Sequence, residues 1–266
     1  MMDQMASLPT DVKYRLYEDS VQCHEADIDF INNQYKSFYN KTPLTLREDF
    51  GGTGVLACSW VKQGAGYKAW AVDLDEEPME YGKANHYTKL NNDEKTRMSY
   101  VKGNVLDNYD FKSDVTVAFN FSYFIFKRRS ELLNYFKKVR EGLSKNGLFL
   151  VDLFGGTDAR EESVEETEHD AHSYYWDCDQ FNPITNECQY YIHFKKDGTK
   201  YKKVFSYDWR HWSIPEVREI MEEAGFSKTI AYWEGEDEDG DGDGNFYISS
   251  SEDNCESWVT YIAARP

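Results

Sequence analysis

One stretch of nine residues, Leu46-Arg47-Glu48-Asp49-Phe50-Gly51-Gly52-Thr53-Gly54, constrains the fold of this chain more than any other. It runs from an apolar start through two acids into a glycine turn, and a helical pattern begins at Val55. That order reads as a strand feeding a helix through a tight loop, where glycines let backbone amides approach a ligand closely. Asp73 follows nineteen residues after Gly54, within Val72-Asp73-Leu74-Asp75. An acid at the tip of the second strand of such a unit is placed to hold a ribose. Together the two segments predict a βαβ unit that cradles an adenosine-bearing cofactor.

The rest of the chain extends this pattern. Residues 11–41 are amphipathic and helical, and Pro43 ends them. Strands are expected at Thr45–Asp49, Lys68–Val72, Tyr100–Lys102, Val115–Phe119 and Leu148–Leu153, with helices at Val55–Gln63, Pro78–Leu90 and Arg129–Leu143. Such alternation predicts a parallel sheet covered on both faces. Thr157–His172 reads as a charge-rich connection, and Ser173–Tyr207 alternates aromatic with polar residues, the signature of a small antiparallel sheet. A helix over Ser213–Ala224 is capped by Ser213 and closed by Gly225. Ser227–Trp233 and Ser257–Ala264 follow as the last two strands, with a long acidic loop, Glu234–Glu256, between them. The expected division is a helical cap (1–43), a cofactor-binding core (44–156), an inserted antiparallel lobe (157–212) and a C-terminal helix and hairpin that complete the core sheet (213–266).

Composition narrows the partners. The chain has 266 residues, with Lys plus Arg at 30 and Asp plus Glu at 48, for a net charge of -18. Such a surface repels phosphate backbones, so nucleic acid is not an expected partner. The five cysteines are widely spaced with no CxxC, which suits neither a zinc ribbon nor a disulfide framework. No charged and apolar leader opens the chain and no apolar run is long enough to span a membrane, so a cytoplasmic protein without membrane contact is expected.

The glycine loop alone fits two cofactors. Gly52-Thr53-Gly54-Val55-Leu56-Ala57 satisfies the dinucleotide GxGxxG/A pattern, with Asp73 at a suitable distance for an NAD ribose. S-adenosylmethionine (SAM) would use the same parts differently: an acid before the loop for its ammonium, helix-start amides for its carboxylate and Asp73 for its ribose. The full run of motifs separates the two. LREDFxGT, VDLD, Gly103-Asn104, Asn120-Phe121-Ser122-Tyr123, Gly147-Leu148-Phe149-Leu150-Val151-Asp152, Tyr207-Asp208-Trp209-Arg210 and Tyr232-Trp233-Glu234-Gly235 occur in order. In this the chain resembles a class I SAM-dependent methyltransferase, of a subgroup whose first motif reads LREDFxGT.

The resemblance implies a Rossmann-like, doubly wound sheet of seven strands, the last antiparallel, with the inserted antiparallel lobe beside it. It implies that Glu48 stands for the acid that ends the first strand. Phe50 stands where most class I enzymes have their first glycine. Gly51, Gly52, Thr53 and Gly54 would pass beside the methionine part of the cofactor. Asp73 would hold the ribose, Leu74 would pack on adenine, and Asn104 with Val105 would meet the adenine edge, Asn104 accepting through its amide carbonyl. Asn120 and Tyr123 would face the methyl group. The implied reaction moves a methyl to a small-molecule N, O or S nucleophile, leaving S-adenosylhomocysteine. Tyr123, Asp152 and His193 are the candidates for helping a proton leave the acceptor. An NAD-dependent oxidoreductase on the same fold and a non-catalytic SAM-binding protein are the alternative readings. Asp239–Gly244 has the acid spacing that opens a calcium loop, but Ser250 occupies the position that wants a bidentate Glu, so no metal is expected there.

Overall fold

The computed structural model describes residues 7–236 and 242–266. Its main sheet has eight strands: β1 (Thr45–Asp49), β2 (Lys68–Asp73), β3 (Met98–Lys102), β4 (Ser113–Ala118), β5 (Leu143–Gly155), and three late strands. These five pair in parallel in the order β3-β2-β1-β4-β5. The chain thus leaves β1 toward one edge and returns to β4 on the other side, so a crevice opens at the carboxyl ends of β1 and β4. The inner strands and β5 are rich in buried apolar residues, with Leu46, Val72, Val115 and Leu150 fully enclosed, as a sheet covered on both faces requires, while the edge strand β3 buries only Met98.

Helices supply the covers. On one face lie α2 (His24–Tyr39) and α3 (Val55–Trp60), which bury Ile31, Tyr35 and Trp60 against the sheet. On the other lies α6 (Arg129–Gly142), whose Leu132, Tyr135, Phe136 and Val139 form one fully buried stripe. Burying each of these side chains stabilises the fold by about 2 kcal/mol before chain entropy is counted. Beside it packs α7 (Ile214–Glu223), which starts with a reciprocal cap between Ser213 and Glu216. The first helix, α1 (Thr10–Val21), stands apart. It ends at Gln22 and Cys23 instead of running on into α2.

The late strands differ from expectation in one respect. Strand β12 (Trp258–Arg265) lies antiparallel to β5, and β10 (Lys228–Glu236) antiparallel to β12. Outside them, Gly242–Ser249 forms an eighth strand, β11, paired to β10. The acidic segment is therefore an edge strand and not wholly a loop. Its Phe246 is the reason: the ring packs edge-on to Tyr261, with centroids 4.6 Å apart, and its neighbours alternate out to solvent. Part of the calcium-loop pattern, Asp239 to Asp241, lies outside the described residues. Among those described, no three His, Cys, Asp or Glu side chains gather to hold a metal ion, and no helix is long and apolar enough to cross a membrane.

The inserted sheet has four antiparallel strands: β6 (Val164–His169), β7 (His172–Phe181), β8 (Glu187–Lys196) and β9 (Thr199–Arg210). Strand β6 falls in the charge-rich segment read as a connection. It is an exposed edge strand whose Glu residues face water, so its composition hides it. Cys178, Tyr190 and Trp209 of this sheet belong to the same buried cluster as Phe136 and Phe149 of the main domain. Helix α1 packs on the inserted sheet through Leu16, Ile192 and Phe194. It also ties to α4 (Glu76–Asn85), where Lys13 and Tyr14 both donate to Glu77, at 2.7 and 2.9 Å, and Glu18 meets His86 at 2.7 Å.

Candidate active site

At the end of β1 two adjacent acids take different tasks because successive strand residues point to opposite faces. Asp49 is buried and paired with Arg47 at 2.6 Å, and the Tyr135 hydroxyl donates to it at 2.9 Å. Arg47 also donates to the Val105 carbonyl at 2.9 Å. That triad locks the turn after β3 onto β1, a role that residue type and spacing do not announce. Glu48 points into the crevice and lines it. It is 8% exposed, and its one close donor is the Ala57 amide at 3.1 Å. Burial pushes its carboxyl up to about 8, and the nearby Asp27, Asp73 and Glu18 add to the push.

The chain then turns through Phe50 to Gly54. Phe50 has φ of 56°, Gly52 of 52° and Gly54 of 66°. Phe50 thus holds a left-handed backbone, at a cost of roughly 1 kcal/mol or more. Its ring is held by Tyr135 and Phe126, at 5.7 and 6.1 Å between centroids. A Cβ at Gly54 would lie 2.7 Å from the Tyr100 ring, and that tyrosine's hydroxyl donates to the Thr53 carbonyl at 2.7 Å. From the far side, Gly82 of α4 lets the helix approach so closely that a Cβ there would sit 1.8 Å from the Thr53 carbonyl oxygen. Sequence reasoning missed both supports, because a tyrosine in a strand and a glycine within a helix have no fixed partner in the pattern.

Asp73 faces the loop from the tip of β2. Its carboxylate accepts from the Gly52 amide at 2.8 Å and from the Asp75 amide at 2.9 Å. It fixes the loop and still has lone pairs to offer. Next to it the crevice widens to a cleft of about 610 Å³ lined by Leu74, Asn104, Val105, Phe50 and Ile125. Leu74 is 64% exposed and Ile125 56%. Two large apolar side chains left in water on one cleft are the walls a flat ring would cover. Asn104 is placed at this cleft, but its side-chain carbonyl already accepts from the Leu106 amide at 3.0 Å. The oxygen thus shapes the turn and keeps a second lone pair, beside the amide's NH2.

Among the described residues two buried side-chain oxygens on the Glu48 side of the crevice have no partner: Thr53 Oγ1 and Gln22 Oε1. Buried polar atoms without partners are rare and costly in a finished fold. With Glu48 they form a set that asks for a polar ligand. Lys13, Tyr14 and Tyr17 of α1 close this part from above.

The candidates for proton transfer are placed elsewhere. Asp152 of β5 spends one carboxylate oxygen on the Asn120 amide at 2.6 Å and the other on the Phe121 amide at 2.9 Å. Both of those residues have left-handed φ, 56° and 57°, so Asp152 anchors a strained turn. Burial pushes its carboxyl up to about 7. Tyr123 is fully buried and donates to the Asp152 carbonyl at 3.0 Å. His193 accepts at Nδ1 from the Lys203 amide at 2.7 Å, which puts its proton on Nε2, facing Asp177 at 2.7 Å. It pins β8 to β9. His211, buried and pushed down to about 4, donates to the Phe154 carbonyl at 3.0 Å. None of the four lines a cleft, because each has its polar atoms committed to holding backbone.

Asn120 does face the crevice, and a second chamber opens behind it. This cavity of about 240 Å³ lies between α1, the end of β5 and the inserted sheet. Tyr17, Asn120 and Tyr207 line both the Glu48 crevice and this cavity. The two chambers therefore meet at one wall made by the N-terminal helix, the turn after β4 and strand β9. The aromatic residues of the inserted sheet are shared between the core and the lining of this cavity. Tyr190 and Trp209 are buried in the core, and Trp176, half-buried, stacks on Tyr190 at 4.7 Å.

No model of a protein family matches the chain, and a comparison with curated protein sequences gives no match. Comparison with solved structures is informative. A SAM-dependent methyltransferase from Clostridium acetobutylicum superposes with a TM-score of 0.71 at 17% identity, covering 96% of this chain and 98% of that one. DesVI from Streptomyces venezuelae gives 0.69 at 14% identity, covering 98% and 100%. SAM-bound CalS10, an amino pentose methyltransferase from Micromonospora echinaspora, gives 0.63 at 8% identity, covering 98% and 99%. The chain has the α/β, Rossmann-like fold of the class I methyltransferases over its whole length.

Proposed function

We propose that this protein is a SAM-dependent methyltransferase that acts on a small-molecule acceptor and leaves S-adenosylhomocysteine. One observation carries the reading: at the switch point of the sheet, a buried carboxyl without a cation stands with two unpartnered oxygens, above a glycine turn and beside Asp73. These are the partners that an amino acid joined to a nucleoside needs, and the donor set fits the group. Glu48 would hold the ammonium, Thr53 and Gln22 the remaining polar atoms, Asp73 the ribose, and Leu74 with Ile125 the two faces of adenine. The fold shared with solved SAM-dependent methyltransferases supports the same reading, as does the LREDFxGT motif.

When bound, SAM supplies a methyl already activated on a sulfonium. The chain's own residues then have to align the acceptor, exclude water and shield the transfer. Tyr17, Asn120 and Tyr207 form the wall at which the two chambers meet. Helix α1 closes the crevice through its ties to α4 and to the inserted sheet. No general base is needed for alignment, and we read Tyr123, Asp152 and His193, whose polar atoms are bonded inside the fold, as structural. In this reading residues 1–43 are the cap, 44–156 hold the cofactor, 157–212 shape the acceptor chamber and 213–266 complete the sheet.

Calorimetry with SAM, S-adenosylhomocysteine and NADH tests the proposal. Binding of the first two, lost or weakened at least about ten-fold in Asp73→Ala, is expected. NADH binding without SAM binding would establish the oxidoreductase instead. SAM binding without methyl transfer to any acceptor would leave a binding protein.

A further inference from the structure

We propose that the methyl acceptor has an entrance of its own, separate from the cofactor's, through a vestibule of about 680 Å³ outside the cavity behind Asn120; this rests on the methyltransferase reading above. The vestibule is framed by the end of β10, the start of β12, the turn after β5 and edge strand β6, which supply Trp233, Glu234, Trp258, Asp158 and Glu165. Asp158, Glu165, Ser257 and Val259 line both the vestibule and the cavity, so the two are contiguous. The cavity meets the Glu48 crevice at Tyr17, Asn120 and Tyr207. The crevice in turn meets the cleft beside Leu74 at Phe50, Asp73, Asp75 and Ile125. No residue lines both the vestibule and the crevice, and none lines both the cavity and the cleft. The four spaces therefore stand in one file, with exposed residues at each end: Leu74 and Ile125 at one, Glu165 and Ser257 at the other.

That order decides the traffic. A cofactor in the crevice and cleft leaves by the end at Leu74 and Ile125, without crossing the cavity. Helix α1 covers the crevice, with Lys13 and Tyr14 tied to Glu77 and Ser20 tied to His172 at 2.7 Å. With the crevice filled and covered, the vestibule is the way left into the cavity. Its frame is built, not loose: the Asp158 amide donates to the Glu256 carbonyl at 3.0 Å, and the Trp258 ring lies so close over Gly155 that a Cβ there would sit 2.2 Å from it. Its charge decides what passes. Asp158, Glu165, Glu234, Glu236 and Glu256 line it, and among the described residues no Lys, Arg or His does, so anions are repelled at the mouth and neutral or cationic molecules are not. Its size decides the shape. The cavity of about 240 Å³ takes one ring-sized group bearing the nucleophile, and the remainder of a larger acceptor stays in the vestibule. Acceptor and methylated product then exchange while the crevice stays occupied.

Cys178 reports on the passage, because it lines the cavity, does not line the vestibule and is 4% exposed. The full chain carrying Cys23→Ser and Cys255→Ser, the two cysteines that are not buried, is treated with methyl methanethiosulfonate. The Cys178 thiolate attacks the sulfenyl sulfur, a disulfide forms and methanesulfinate leaves; peptide mass spectrometry gives the rate at this residue. Saturating S-adenosylhomocysteine is expected to leave that rate within about two-fold. Ser257→Trp and Glu165→Trp, exposed positions on opposite walls of the mouth, should each lower it about ten-fold or more while S-adenosylhomocysteine affinity by calorimetry is unchanged. The anionic sulfonatoethyl reagent should lag the cationic aminoethyl reagent at least about ten-fold, each relative to its rate with 2-mercaptoethanol, and about 0.5 M salt should narrow the gap. A rate that neither tryptophan lowers overturns the separate entrance, and so does ten-fold protection by S-adenosylhomocysteine. An anionic reagent as fast as the cationic one overturns the charge selection. A protein that binds no S-adenosylhomocysteine refutes the methyltransferase reading, while the tryptophan variants still judge the passage, so the two failures are told apart.

Discussion

Binding of the cofactor should release a proton, and the release should shrink as pH rises toward 8. The perturbation is the arrival of an α-ammonium beside Glu48. In the free protein this carboxyl is buried with one amide donor, and burial raises it from 4.5 to about 8. Ionising it without a cation therefore costs about 5 kcal/mol, at about 1.4 kcal/mol per pKa unit. At pH 7 roughly nine in ten Glu48 side chains are protonated, and the α-ammonium of a free amino acid, held by its own carboxylate, is fully protonated. The bound pair, carboxylate with ammonium, carries one proton between them. The difference is a release of about 0.9 proton at pH 7 that falls to about 0.5 near pH 8, where free Glu48 itself ionises. S-adenosylhomocysteine is the ligand of choice, because it carries the same ammonium and is not consumed. Its binding enthalpy, measured in buffers of different ionisation enthalpy, gives the proton count directly. Glu48→Gln should abolish the release at pH 7. A wild-type release below about 0.3 proton at that pH, or a release that persists in the variant, would refute the pairing.

Three further outcomes follow from the same geometry. The ligand-free protein should lose stability as pH rises from about 5 to 8. A carboxyl raised in the fold binds its proton more tightly there than in the unfolded chain, so its contribution is full below the unfolded value of 4.5 and is lost through about 8; thermal melts of wild type and Glu48→Gln should diverge over this window, the variant being the more stable at pH 8. Asp152→Ala removes the acceptor of two backbone amides in a left-handed turn, and should cost about 2–4 kcal/mol by denaturant unfolding, against a smaller loss for Asp152→Asn, which keeps one oxygen. Gly82→Ala drives a methyl into the Thr53 carbonyl, and should lower both stability, by about 1–3 kcal/mol, and S-adenosylhomocysteine affinity; unchanged affinity by calorimetry would mean that the loop does not depend on α4.

What was legible in the sequence divides along a physical line. Strand ends, glycine turns and caps are local, so Glu48, the Gly51–Gly54 turn, Asp73 and the Ser213 cap could be placed from spacing alone, and the structure puts them at one end of one sheet. Phe50 shows how far this reaches. The motif marks it as standing where most class I enzymes have a glycine, and its φ of 56° lies in the left-handed region that favours glycine, with the strain held by two rings packed from α6 and from the turn after β4. The acid and histidine candidates show a different limit. A sequence shows that Asp152, Tyr123 and His193 own polar atoms, but not that those atoms already have partners. The partners are backbone groups of Asn120, Phe121, Lys203 and Asp152 itself and, for His193, also the Asp177 carboxylate, and a backbone group leaves no trace in residue type. Edge strand β6 is hidden because solvent-facing charge is what such a strand needs.

The same geometry bears on whether the inserted sheet is a separable part. Its boundaries read as those of a lobe added to a complete core, yet its buried Cys178, Tyr190 and Trp209 share a cluster with α6, β5 and α7. Phe124 and Phe154, from the turn after β4 and from the end of β5, pack on Trp209, Tyr190 and Trp176. Without the insert these rings would face water, a contiguous apolar patch that a monomeric domain does not tolerate well. Helix α1 depends on both parts, since one side meets α4 by charge and the other meets β8 by apolar contact. The wall formed by Tyr17, Asn120 and Tyr207 therefore exists only when cap, core and insert are all in place. The cavity behind Asn120 is not appended to a finished crevice; the two share the same three side chains, and the fold that makes one makes the other.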